Sequence, residues 1–292
     1  MDTYSLWREE LITVVEARGV THLAGVPGVI CRNPQAPEPE RLYRKTFING
    51  LKRIYFPDEM ESALSTYLRG RNTFVIAMNG YSAISPENCA AWGVKPGAYE
   101  KACEVFLIEM CKHFRATFPD ADVRFTHGAS DMGVDRAISK AATALRRPQL
   151  GFSCPDYLFF VPDDEHPVYV AESVEAYSHA FVRNSDILIA ANGRLQAYRM
   201  DIAAVFEYDK FLLSVNILQL ISSNGGPPAR NAAGKIEDAV AHFEQRVFTI
   251  GQQFIGSSRR DAWGEALGEC RHVLTRIGRQ VLPPDIGLEI NV

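Results

Sequence analysis

The chain has 292 residues, 47% hydrophobic, 23% charged and 10% aromatic; this composition excludes a disordered chain, because it buries enough apolar surface to offset the entropy of ordering. Thirty-one basic residues against 35 acidic ones leave a formal charge of −4, without the basic excess typical of a nucleic-acid binder. The length suits two average domains or one large α/β domain with additions.

The longest apolar runs, residues 74–78 and 211–221, fall short of the roughly 20 residues a bilayer-crossing helix needs. Asp2, Glu9 and Glu10 stand where a secretory signal would carry basic and apolar residues. The six cysteines form no Cys-x-x-Cys pair and have no histidine at ligand spacing, so they read as small buried hydrophobes in a reducing cytoplasm, with no metal.

In chain order, residues 5–18 carry apolar positions at helical spacing and end at Gly19. Residues 20–26 read as a short strand, and 30–40, with three prolines, as a surface loop. Pro57-Asp58 starts a helix predicted to run to Leu68. Residues 73–78 form a near-continuous apolar run, the signature of a strand covered on both faces. A helix over 98–117, a strand over 122–126, a helix to about 145 and a strand over 150–153 follow. Residues 157–161 read as a fourth strand or a hairpin arm, and 163–168 as turn. Then come a helix over 173–181, a strand over 186–190, a helix over 196–207, a strand over 211–220, a turn at 224–228, and helices over 231–253 and 261–281. Strand and helix alternate from residue 73 to about 250, which predicts a three-layer αβα fold with a mostly parallel, Rossmann-like sheet. An N-terminal extension over 1–70 would pack on the 71–255 domain, and 256–292 would be a helical tail.

Ligands of open α/β sheets bind beyond the carboxyl ends of the strands. Four such ends carry small or polar residues: 79–82 with Gly80, Tyr81 and Ser82; 127–135; 192–194; and 222–226. In the second, Gly128 and Gly133 let the backbone approach a ligand. Ser130 or Asp131 is placed to cap the following helix, whose free N–H groups attract phosphate. Ala129 lies in the same loop, and Asp135 in the first helical turn is placed to accept from a ribose hydroxyl, although an acid there also suits the helix dipole. Asn192, Gly193 and Arg194 add a guanidinium, a planar fork for phosphate. Asn224, Gly225 and Gly226 are predicted to cradle an oxyanion. Tyr81 and Tyr198 are available to stack on a base, and Glu172, Glu175 and Asp201 are the candidate acid/base carboxylates.

Taken in order, residues 73–80 (Thr-Phe-Val-Ile-Ala-Met-Asn-Gly), 126–135 (Thr-His-Gly-Ala-Ser-Asp-Met-Gly-Val-Asp), 185–194 (Ser-Asp-Ile-Leu-Ile-Ala-Ala-Asn-Gly-Arg) and 211–226 resemble the SLOG superfamily of Rossmann-like nucleotide-binding domains. That superfamily includes the Lonely guy phosphoribohydrolases and ligand-sensing domains. The resemblance implies a nucleotide or nucleotide-sugar held at the strand ends, as in a sensor or regulatory module; the alternative is an N-glycosidic hydrolase or a nucleoside transferase. The phosphoribohydrolases carry Pro-Gly-Gly-x-Gly-Thr-x-x-Glu, where residues 191–199 here read Ala-Asn-Gly-Arg-Leu-Gln-Ala-Tyr-Arg, with Arg199 in place of the catalytic glutamate. Residues 18–28 are similar to the opening of thiamine-diphosphate enzymes, but the Gly-Asp-Gly metal motif of those enzymes is missing. The expectation is a cytoplasmic protein with a small-molecule ligand, no tightly held cofactor, no metal, no nucleic-acid or membrane partner, and homo-oligomerisation left open.

Overall fold

In the computed structural model, the described residues are 28–32, 43–47, 54, 55, 57–154, 157, 166–194, 200, 201, 203–205, 207, 208 and 210–228. The predicted elements at 5–18, 20–26, 231–253 and 261–281, Tyr198, Arg199 and most of 157–161 lie outside them.

The described elements are strands β1 (Gly28–Arg32), β2 (Tyr43–Phe47) and β3 (Ile54–Tyr55), helix α1 (Met60–Tyr67), strand β4 (Thr73–Gly80), helices α2 (Pro86–Trp92) and α3 (Ala98–Thr117), and strand β5 (Asp122–His127). They continue with helix α4 (Gly133–Ala144), strands β6 (Gln149–Ser153) and β7 (Val168–Val170), helix α5 (Val174–Arg183), strands β8 (Ile187–Ala191) and β9 (Phe211–Val215), and helix α6 (Ile217–Ile221). Met200, Asp201 and residues 203–205 are also helical.

β1 and β2 form an antiparallel pair, and the other seven strands form one sheet in the order β3-β7-β6-β5-β4-β8-β9. Every neighbouring pair in the large sheet is parallel. This is the predicted α/β Rossmann-like architecture. From β4 the chain steps outward through β5, β6 and β7, then returns to the other side of β4 as β8 and β9. The direction reverses between β4 and β8, which makes their carboxyl ends the topological switch point.

Because side chains alternate across a strand, each central strand feeds two cores. Phe74, Ile76, Met78, Phe125, Ile189 and Leu213 face one layer, which includes α2, α3, α4 and α6. Val75, Ala77, Phe152 and Leu188 face the other, with α1, α5 and the helical residues Ala204 and Val205. Tyr55 of β3 and Leu64 of α1 belong to the second core, so part of the N-terminal 70 residues is built into the sheet and its packing.

Four local expectations change. Residues 28–32, which overlap the expected loop, form β1 and pair with β2. Val168, read as the end of a turn, opens β7. The predicted strand at 211–220 stops at Val215, because the Asn216 side chain accepts the Gln219 N–H (3.1 Å) and starts α6. Helix α2 has no counterpart among the predicted elements, although its signals are local: Ser85 accepts the Asn88 N–H (3.2 Å), Pro86 sits in the first turn, and Gly93 ends the helix at φ +64°.

Candidate functional site

At the switch point Gly80 lies opposite Ala191 in the parallel register. Tyr99, from α3, bolts the two strand ends together: its hydroxyl accepts the Tyr81 N–H (3.1 Å) and donates to the Ala191 carbonyl. A Cβ on Gly80 would collide with both that hydroxyl and the carbonyl. Gly193, at φ +120°, leaves room for only 3.1 Å between its would-be Cβ and the Gly80 Cα. These two glycines therefore close strand against strand. Tyr81 is buried against Trp92 and Tyr99, with ring centroids 6.0 and 5.9 Å away, so it packs the core instead of offering a ring to a base. Ser82 is exposed.

The loop after β5 is held by its own side chains. Asp135 accepts the Gly128 N–H (2.7 Å) and the Ser130 hydroxyl (2.6 Å) and is also bonded to the Ser130 backbone. His127 Nδ1 accepts the Ala129 N–H (3.1 Å), which leaves Nε2 to donate to Gln149 Oε1 (3.1 Å). Burial then pushes the His127 pKa down to about 3, so the ring stays neutral. The expected cap is corrected: Met132 occupies the N-cap position of α4 without a side-chain bond, Ser130 serves Asp135, and Asp131 is exposed. The Val134 N–H is taken by the Tyr81 carbonyl (3.1 Å). Gly133, at φ +51°, packs so closely on the Tyr81 and Ser82 carbonyls that no side chain fits.

The other two expected cradles are filled in the same way. Asn192, fully buried, accepts the Leu218 N–H (2.9 Å) and donates to Asn216 Oδ1 (2.8 Å), tying the end of β8 to the start of α6. Ser222 accepts the N–H groups of Asn224 (3.1 Å) and Gly226 (2.6 Å) while donating to the Trp92 carbonyl, and the Asn224 amide donates to the Ala91 carbonyl (3.1 Å). Residues 222–226, Gly225 among them, thus clamp the C-terminus of α2. Arg194 is exposed and makes no ion pair among the described residues.

Of the three candidate carboxylates, Glu172 and Glu175 are exposed, whereas Asp201 is 7% exposed. Asp201 accepts from the Asn79 amide (2.7 Å) and from the Ser178 hydroxyl. Desolvation raises its pKa to about 6, against the lowering effect of those two bonds. Asp135 is also raised by desolvation and adds to the upward shift of Asp201. The phenol of Tyr177 is pushed well up by burial and by both carboxylates. Its ring lies 6.0 Å from that of Tyr157, which is 39% exposed. Asn79 Oδ1 is buried without a hydrogen-bond partner.

Asn79, Tyr157, Tyr177 and Ser178 were not named as site residues from sequence. Asn79 was visible as the polar end of an apolar run, and Ser178 as a hydroxyl on the buried stripe of an amphipathic helix; for Tyr177 no local signal exists. A cavity of about 420 Å³ is lined by the 127–131 loop, α4 and the approach to β7, with none of Asn79, Asp135, Tyr177, Ser178 and Asp201 in its walls. Its walls include His127, His166 and Val168, and of the predicted residues it takes in Ala129, Ser130 and Asp131.

No protein family matches this sequence, and no curated protein does. Among solved structures, the chain is similar to the structural-genomics target TM1055, with 15% identity and a TM-score of 0.38, covering 64% of this chain and 88% of that one. It is also similar to the molybdenum cofactor binding protein of the phototrophic bacterium Rippkaea orientalis, with 14% identity and a TM-score of 0.33, covering 51% of this chain and 80% of that one. Likenesses this low leave the functional reading to the site itself.

Proposed function

We propose that this chain binds a nucleotide or nucleotide-sugar at the carboxyl ends of its parallel strands, as a sensor or regulatory module of the SLOG type. The observation that carries the reading is the polar cluster at the switch point: the buried Asp201 carboxyl on Asn79 and Ser178, raised further by the charge of Asp135, with the Tyr177 phenol raised in turn by both carboxylates. A sheet of this kind offers its ligand site at that position. Carboxylates and an amide oxygen there suit the hydroxyls of a ribose, and Tyr157 supplies an exposed ring for a base. Arg194 is the cation at the end of β8 that a phosphate would meet.

Asp201 also supports a second reading, cleavage of an N-glycosidic bond. A carboxyl whose pKa lies near 6 is able to take and return a proton close to neutral pH. Arg199 stands where the phosphoribohydrolases carry their glutamate, so Asp201 would have to serve instead.

The test is a thermal-shift screen with AMP, CMP, NAD and ADP-ribose, each mixture then resolved by chromatography. A ligand at 100 times its dissociation constant adds about 2.7 kcal/mol of stability. A shift with intact ligand supports the sensor, and a shift with released base the hydrolase. No shift with any of them refutes both.

A further inference from the structure

The cavity beside α4, at about 420 Å³, has the size of a small-molecule site, and the Asn79–Asp201 cluster takes no part in it. Helix α4 turns Ala137, Ile138 and Ala141 into the core and a second stripe, Arg136, Ser139, Lys140 and Ala144, into the cavity wall. Glu104 of α3 and Asp131 of the loop line the same space, so two carboxylates balance the two cations. Each of these charged groups keeps hydrogen-bonding capacity that the described residues leave unused. Glu100, itself outside the wall, accepts from Nε (2.8 Å) and Nη2 of Arg136 and from Lys140 Nζ (2.9 Å). That leaves Arg136 Nη1, which stands 4.0 Å from Asp131 Oδ1, beyond hydrogen-bond reach, and two hydrogens on Lys140. Glu104 accepts from Lys101 through Oε1 (3.0 Å) and keeps Oε2. The Asp131 carboxylate and the Ser139 hydroxyl bond to none of the described residues.

An anion placed here meets Asp131 and Glu104, and a cation meets Arg136 and Lys140, so the wall favours neither sign. A hydroxyl both donates and accepts; a ring of hydroxyls engages the two sets together, while Ala129, Ala144 and Val168 offer apolar surface to its C–H face. We infer that this cavity is a second ligand site and takes a neutral polyhydroxylated ring, either a free monosaccharide or the sugar half of a nucleotide-sugar. The free-sugar form stands without the nucleotide-binding reading; the nucleotide-sugar form rests on it.

The experiment uses the full chain, with saturation-transfer NMR on ribose, glucose and glucose 6-phosphate, and calorimetry on ADP and ADP-ribose. The expected result is a ring-proton signal from ribose or glucose, which identifies the free sugar, or ADP-ribose binding about tenfold tighter than ADP, which identifies the sugar half. Ala144→Trp fills the cavity with an indole and should abolish whichever effect is seen. Asp131→Ala, at an exposed loop position, adds no bulk and should weaken the same effect about tenfold, a readout that holds even if the tryptophan chain fails to fold. Silence of both free sugars together with equal binding of ADP and ADP-ribose overturns this inference and leaves the nucleotide-binding reading standing; silence of all five compounds overturns both. An effect that persists in the folded variants places the sugar elsewhere, and glucose 6-phosphate binding more tightly than glucose makes the cavity an anion site; each of these also overturns the inference.

Discussion

Asp201 is a carboxyl that the folded chain keeps at a cost. Its pKa rises from 3.8 to about 6 on folding, so the folded state holds the proton more tightly than the unfolded state. Stability from this group is full below about pH 4, falls as pH rises through 6, and stays reduced above. Asp201→Asn removes the charge while keeping polar contacts for Asn79 and Ser178. The expected outcome is a gain of about 2 kcal/mol at pH 7 that disappears by pH 4, measured by urea unfolding at both values. Under the proposed function the same substitution weakens ligand binding, an exchange of function for stability. His127 acts with the opposite sign. Its pKa falls from 6.5 to about 3, so its contribution is full above pH 6.5 and is lost as pH drops toward 3. Accordingly His127→Gln should flatten the loss of stability between pH 6.5 and 4, read from the same unfolding curves.

Among the elements, the joint between β4 and β8 rests on one side chain of α3. Tyr99→Phe removes the hydroxyl that satisfies the Tyr81 N–H and the Ala191 carbonyl; the unpaired buried groups should cost about 1–3 kcal/mol in chemical denaturation, with the secondary structure content unchanged by circular dichroism. Helix α6 depends on Asn216 and Asn192 at its start. Its five residues are too few to be stable alone, so Asn192→Ala, which leaves a buried N–H unpaired, should destabilise the chain by more than the typical cap loss of about 1 kcal/mol. These joints also explain which elements were legible. The helix at 98–117 and the strands at 73 and 122 follow from apolar spacing within each segment. The break at Asn216 depended on weighing one capping residue against a continuous apolar run, and the two-residue β3 carries no period to read; it is a strand because β7 lies beside it.

At the scale of the whole molecule, Cys89, Cys103, Cys111 and Cys154 are buried and outside any disulfide, and burial pushes the Cys103 thiol up to about 12. An alkylating reagent at pH 8 should leave all four unmodified in the folded chain and label them in urea, as read by mass spectrometry of the peptides. No helix among the described residues is long and apolar enough to cross a membrane. The two cores meet the sheet from opposite faces, so the described strand ends at its carboxyl edge run into loops instead of packed helices.

The sequence alone determined the α/β class, the parallel sheet and the set of strand ends at which chemistry could sit, because apolar periodicity and turn residues act over a few positions of the chain. Only the tertiary structure decided what those ends do. Asn79 and Asp201 are 122 residues apart when they bond, and the reversal of strand order between β4 and β8 is what brings them together. The glycine-rich turns looked like open anion cradles because a sequence names a backbone donor without naming its acceptor. Once the chain is folded, the N–H groups of Gly128, Ala129, Leu218, Asn224 and Gly226 each meet an acceptor of the chain itself.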